Sequence, residues 1–192
     1  MRLSRDELIQ AVSSQMPAKR WEHTQGVMAT SVQLANKYGA DPIQAELAAI
    51  LHDVAKYWPV KQLEAEIREN DLSKELLLYS PQLWHSEVGY LVAKRDYGVT
   101  DIEVLDAIRY HTFGRVGMTL MDKIVCLADY IEPGRDFPSV NDIRELADKS
   151  LEEALVAGFD STMSFLISRR QIIYPLMVLA RNDLIKQLEA NV

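Results

Sequence analysis

The chain has 192 residues, 48% apolar and 26% charged, which is the size and balance of one globular domain and excludes a disordered or fibrous class. Its 21 basic and 28 acidic side chains leave a formal charge of −7, the wrong sign for a nucleic-acid groove, where excess Lys and Arg must replace counterions. Eight glycines and seven prolines fall well below the roughly 23 that average usage gives, so turns are few and the expected fold class is all-α.

In chain order, Ser4 and Glu7 form a capping box that opens a helix to about Met16, where Pro17 stops it. A second helix runs from Lys19 to Tyr38, with Gly39 supplying a left-handed stop. Asp41 and Pro42 start a third, to about Lys56, with Leu47, Ile50, Leu51 and Val54 on one face. Pro59 interrupts, and a polar helix follows to about Asn70, then a turn or two over Ser73–Tyr79. Ser80 and Pro81 begin a helix to Tyr97, and Thr100 with Glu103 reads as a second capping box for a helix through His111. A glycine-bearing loop, Phe113 to Gly117, precedes a helix from Thr119 to about Tyr130. After the turn-rich stretch Pro133–Pro138 come a helix over Asn141–Lys149, a third capping box at Ser150 and Glu153 with a long helix behind it, and a final helix from Leu176 to about Ala190. With no repeat and no linker, the expectation is one helical bundle of about eight to ten helices over residues 1–192. No apolar run approaches the ~18 residues of a membrane span, and the first ten residues carry acids and no apolar core, so a cytoplasmic protein is expected. The single cysteine, Cys126, excludes an internal disulfide and reads as a buried small hydrophobe.

Chemistry concentrates in the histidines, His23, His52, His85 and His111, none of which lies in the last 81 residues. His52-Asp53 pairs an imidazole with a carboxylate, ligands that suit Fe, Mn, Co or Zn. Alone the dipeptide says little, since chance gives roughly 0.3 such pairs in this composition. Asp129 adds weight. It stands among Val125, Cys126, Leu127 and Ala128, where an unpartnered carboxylate would be costly to bury and a bound cation would remove the cost.

The order His23, His52-Asp53, His85, His111, Asp129 resembles the HD superfamily of metal-dependent phosphohydrolases. The segments Leu51-His52-Asp53-Val54-Ala55-Lys56, Trp84-His85-Ser86 and Leu127-Ala128-Asp129-Tyr130-Ile131-Glu132-Pro133 are similar, more narrowly, to the bacterial YqeK group, over roughly residues 5 to 185. Tyr174 stands where many members of that group are expected to carry a His. The resemblance implies a single HD domain with core motifs over 19–135 and C-terminal helices over 141–190 completing the pocket. It implies one or two iron ions, with Mn, Co, Ni or Zn as alternatives, and symmetrical hydrolysis of diadenosine tetraphosphate into two ADP.

On that reading His23, His52, Asp53 and Asp129 hold one ion, and Asp53 bridges to a second held by His85 and His111. Two ions ~3.5–4 Å apart would polarise phosphate oxygens and activate a water, with Asp53, His85 and His111 as the catalytic residues. With one ion only, His85 and His111 become phosphate ligands or a general acid. The nucleotide-binding set is His23, Lys56, His85, His111, Thr112, Asp129 and Arg135, with Arg170, Ile173, Tyr174 and Pro175 as a corner for base and ribose. Plain alternatives stand beside these: Lys56 and Arg170 as cations favouring helix ends, and Arg135 as a solvated loop charge. Trp21, Trp58 and Trp84 read as packing residues. The expected partner is a small nucleotide, diadenosine tetraphosphate or a product such as ADP or GDP, with no nucleic acid and no membrane; a homodimer stays open. A guanosine tetraphosphate or deoxynucleotide hydrolase, a di-iron oxygenase and a nucleotide sensor without turnover remain as other functions.

Overall fold

A computed structural model describes residues 3–190 as helices α1 (Arg5–Ser13), α2 (Ala18–Tyr38), α3 (Pro42–Leu51), α4 (Val60–Glu69), α5 (Trp84–Arg95), α6 (Ile102–Tyr110), α7 (Leu120–Ile131), α8 (Val140–Ala147), α9 (Leu151–Ser168) and α10 (Pro175–Ala190). Two short 3-10 turns, Lys74–Leu78 and Pro81–Leu83, join α4 to α5, and no strand occurs among the described residues. The all-α class expected from composition is the one observed.

Local chemistry sets most of the boundaries. The Ser4 hydroxyl accepts from the Glu7 amide while Glu7 accepts from the Ser4 amide, so the first capping box is complete. Gly39 ends α2 at φ 82°, and Asp41 caps α3 from its side chain. At α6 the cap is Asp101 and not Thr100. The Asp101 carboxylate accepts from the amides of Glu103 and Val104 at 2.9 and 3.3 Å and from Gln44 at 2.7 Å, more partners than one hydroxyl can serve. Ser150 accepts from the Glu153 amide at 3.2 Å, so it caps α9 without a returned bond from Glu153.

The third helix stops earlier than its apolar pattern predicts. Instead of reaching Lys56, α3 ends at Leu51. The His52 ring nitrogen Nδ1 lies 2.6 Å from the Ala49 carbonyl, the acceptor that a continuing helix would give to the Asp53 amide. Tight turns take over, with the amides of Val54, Lys56 and Trp58 bonded to the carbonyls of Leu51, Asp53 and Ala55. The His-Asp pair therefore sits in a buried coil of turns, and Lys56 is not in the last turn of a helix.

Helix α7 is the axis of the fold. Every residue from Met121 to Ala128 is buried, the signature of a helix surrounded by others. Helices α2, α3 and α6 pack on it, as do α8 and α9, while α5 lies on α6 and α10 on α9. Lys123, within α7, donates to Glu152 at 2.6 Å and Gln187 at 2.8 Å, which ties the two C-terminal helices to this axis. Gly114 lets the loop before α7 pass close to α9 and α10. It adopts φ +68°, and a Cβ there would sit 2.8 Å from Phe159 and 2.9 Å from Ala180. Thr119 and Asp122 form the capping box of α7. Thr119→Ala should lower stability by about 1 kcal/mol, read as a melting midpoint ~2–4 °C lower.

Candidate functional site

The helices deliver six polar side chains to one point. His23 comes from the middle of α2, His52 and Asp53 from the turns after α3, and His85 from the start of α5. His111 follows the end of α6, and Asp129 lies in the last turn of α7. His52 and Asp53 are 0% and 1% exposed, and His85 and His111 are 2% each, so the point is deep.

Each histidine is anchored through Nδ1. That atom lies 2.6 Å from the Ala49 carbonyl in His52, 2.8 Å from the Gln82 carbonyl in His85 and 2.8 Å from the Ile108 carbonyl in His111, always three residues back. In His23 it lies 3.0 Å from the Glu132 carboxylate. A ring that donates from Nδ1 carries its lone pair on Nε2, and all four Nε2 atoms face the centre. There they meet other acceptors. His52 Nε2 is 3.0 Å from Asp53 Oδ2, His85 Nε2 is 3.1 Å from Asp53 Oδ1, and His23 Nε2 is 3.0 Å from Asp129 Oδ1. His85 and His111 bring their Nε2 atoms to 3.2 Å. Nε2 of His23 and His52 and Oδ1 of Asp53 are covered with no hydrogen-bond partner, and Oδ2 of Asp53 has the Arg20 guanidinium against it. Buried lone pairs turned on one another are unfavourable, and a cation among them converts the cost into coordination. The donor set fits a metal ion.

The electrostatics agree. Burial, reinforced by the neighbouring His111, pushes the His52 imidazole well below its usual range. Burial and then Lys56 do the same to His85, and burial with His85 takes His111 to about 3. Those three imidazoles are thus neutral, the form that binds metal. Burial would raise the Asp129 carboxyl, but the neighbouring His23 and the Arg135 guanidinium outweigh it and hold it well below the usual range. The Arg20 guanidinium sits on Asp53, and Arg135 grips Asp129 through both its carboxylate and, at 2.6 Å, its backbone carbonyl. Lys56 Nζ lies 3.5 Å from both ring nitrogens of His85, and burial with Arg20 lowers its amine to about 8.

The expectation that Asp129 would be enclosed by apolar neighbours is corrected by the structure. Its side chain is 18% exposed, because the last turn of α7 faces a cleft. Two cavities open there. One of about 620 Å³ is walled by His111, Thr112, Asp129, Tyr130 and Arg135 together with Phe137, Ser139, Ser161, Thr162 and Phe165. The other, about 450 Å³, adjoins Lys19, Arg20, His23, Tyr57 and Arg135. The Thr112 hydroxyl, in the first cavity, is 3.1 Å from His111 Nε2.

Arg170, Ile173, Tyr174 and Pro175 line neither cavity. Tyr174 is buried, with its ring 4.8 Å from Tyr79 and 5.0 Å from Phe113, and it packs the core. Arg170 and Pro175 are exposed. The aromatic wall near the centre comes instead from Phe137 and Phe165. Sequence reading also passed over Arg20 and Glu132. Arg20 precedes His23 by one helical turn, and Glu132 follows Asp129 by three residues, so spacing held a signal for both. Ser161, Thr162 and Phe165 carry no such signal, being ordinary outward positions of a long helix.

Comparison with known proteins places this geometry. The HD domain family model matches residues 20–134. The chain is 43% identical over 183 residues to the symmetrical bis(5'-nucleosyl)-tetraphosphatase of Bacillus subtilis (strain 168), covering 95% of this chain and 98% of that one. It is 38% identical over 161 residues to the protein of the same name from Staphylococcus aureus (strain NCTC 8325 / PS 47), covering 83% of each. A crystal structure from Clostridium acetobutylicum, described as a predicted HD superfamily hydrolase involved in NAD metabolism, superposes with a TM-score of 0.90 at 36% identity, covering 96% of this chain and 98% of that one. Matched over more than half its length by the family model and over nearly all of it by relatives well above 30% identity, the chain belongs to the HD domain family.

Proposed function

We propose that this protein is a metal-dependent hydrolase that cuts diadenosine tetraphosphate between its second and third phosphorus atoms and releases two ADP. The observation that carries the reading is the meeting of four imidazole and two carboxylate acceptors at one buried point beside two cavities, in a chain 43% identical to a symmetrical tetraphosphatase. Asp53 turns Oδ1 towards His85 and His111, at 3.1 and 3.9 Å, and Oδ2 towards His52 and His23, at 3.0 and 3.8 Å. His23, His52, Asp53 and Asp129 would hold one ion, and His85 and His111 with Asp53 would hold a second if two bind, supplying Lewis-acid chemistry there. A nitrogen-and-oxygen donor set without thiolate suits iron, and equally accommodates Mn, Co, Ni or Zn.

Bound ions supply a Lewis acid for phosphate oxygens and a water of lowered pKa. The protein's own groups do the rest. Arg20 and Arg135 brace Asp53 and Asp129 and offer their remaining guanidinium donors to phosphate oxygens. Lys56 and the Thr112 hydroxyl add donors, and His85 and His111, kept neutral by burial, hold their lone pairs ready. The oxygen of one water bonds to an inner phosphorus, the bond from that phosphorus to the central bridging oxygen breaks, and the departing ADP takes up a proton. Core motifs over 19–135 and helices over 141–190 act as one unit on this reading, supported by Ser161, Thr162 and Phe165 lining the same cavity as Asp129. We assign the protein to the bacterial cytoplasm, in line with its bacterial relatives and a free, buried Cys126. No helix among the described residues is long and apolar enough to cross a membrane.

The test is product identification from anaerobically prepared, Fe(II)-loaded protein. Two equivalents of ADP per diadenosine tetraphosphate are expected. AMP plus ATP would refute the symmetrical cut, and tight ADP binding with no cleavage under Fe, Mn, Co or Ni would make the protein a sensor.

A further inference from the structure

Arg135 lines both cavities, and the centre borders each from a different side: His111 and Asp129 face the larger one, His23 the smaller. A linear polyphosphate laid across Arg135 therefore passes the centre at its middle and leaves one end in each cavity. Both volumes, about 620 and 450 Å³, lie in the range of small-molecule sites. Their walls differ. The larger has three aromatic rings and several hydroxyls, enough for a base and ribose. The smaller has one aromatic ring, Tyr57, beside the cations Lys19, Arg20 and Arg135.

Tyr57 is the unexplained element. It projects from the tight turns after the His-Asp pair and is 53% exposed. Its ring packs against no other aromatic ring among the described residues. Arg20 and Arg135 also contact Asp53 and Asp129, and Glu132 joins Glu22 in the lining, so Lys19 is the cation there with no such partner among the described residues. An exposed ring beside cations is an arrangement that holds one nucleotide end, with the base stacked. Glu22, also in this cavity, repels phosphate and offers acceptors to ribose hydroxyls.

We propose that the Tyr57 cavity binds the second nucleotide half of a dinucleoside tetraphosphate, with Tyr57 as the stacking platform for its base. The proposal rests on the hydrolase reading above. It gives that reading a physical basis for the central cut, since each half of the substrate keeps its own cavity.

The experiment compares the metal-loaded wild type with Tyr57→Ala and Tyr57→Phe on diadenosine tetraphosphate and on adenosine 5'-tetraphosphate, which has one base only. Calorimetric binding of a methylene-bridged, non-hydrolysable dinucleotide accompanies the kinetics. Loss of one stacked base corresponds to about tenfold. Tyr57→Ala should weaken the dinucleotide analogue and lower the preference for the two-base over the one-base substrate by that factor, and Tyr57→Phe should restore both. An unchanged preference, or an equal loss on both substrates, would overturn the proposal. Tyr57 is exposed, so folding is not at stake. A wild type that makes two ADP while Tyr57→Ala binds the analogue normally refutes this inference alone. A wild type that cleaves neither substrate refutes the hydrolase reading, and the calorimetry still decides the role of Tyr57.

Discussion

Asp53→Asn should abolish bound metal and reduce turnover of diadenosine tetraphosphate by more than about 10³-fold, while the chain stays folded. Asp53 is 1% exposed, and its two oxygens face four imidazoles, two on each side. Asparagine keeps the shape, but it removes the charge and turns an NH2 group towards an imidazole lone pair, so the His85–His111 half loses its anionic ligand and the His23–His52 half keeps only Asp129. The fold should survive because the anchoring bonds of His52, His85 and His111 run to their own backbone and do not depend on Asp53. Elemental analysis and the melting midpoint of the metal-free protein check the two parts. Retained metal and activity would refute the site as drawn.

Glu132 should matter nearly as much by orienting His23. Its carboxylate accepts from His23 Nδ1 at 3.0 Å and from the Gly134 amide at 2.6 Å, and it is buried. It fixes which nitrogen of His23 faces the centre, and loss of such a partner commonly weakens metal binding 10–100-fold. Glu132→Ala should do so, and Glu132→Gln, which keeps an acceptor oxygen, should recover much of it. Gly26 offers an independent route to the same result. It sits within α2, where glycine costs roughly 1 kcal/mol relative to alanine. A Cβ there would lie 3.1 Å from Glu132 Cδ and closer still to its carboxylate oxygen, so the helix leaves room for Glu132. Gly26→Ala should therefore raise intrinsic helix propensity and still weaken metal affinity, because Glu132 must leave His23. Metal titration followed by chelator competition reads both variants, and unchanged affinity in Glu132→Ala would show that His23 is held by packing alone.

Much of this was legible in the chain itself. Capping residues act over three or four positions, so the starts of α1, α3, α7 and α9 followed from Ser4, Asp41, Thr119 and Ser150. Asp129 stood out as a carboxylate on an apolar segment, and the other residues that meet at the centre were marked by the resemblance of their order to the HD superfamily. The base-binding corner did not follow. Tyr174 looked suited to a nucleoside, but aromatic residues serve cores and pockets equally well, and only its packing on Tyr79 and Phe113 shows which it serves here.

By itself the sequence determined the helical class and most helix starts, since these depend on composition and short spacings, while the six side chains that converge followed from the resemblance of their order to the HD superfamily. Tertiary structure alone decided where α3 stops, through one ring-to-carbonyl bond at His52. It alone decided that Glu132 orients His23 across 109 residues of chain. It also decided that Asp129 opens to solvent, and that Arg135 stands between two unequal cavities. A cavity wall is assembled from residues far apart in the chain, such as Asp129 and Phe165 or Tyr57 and Arg135, and no local pattern records that they will meet.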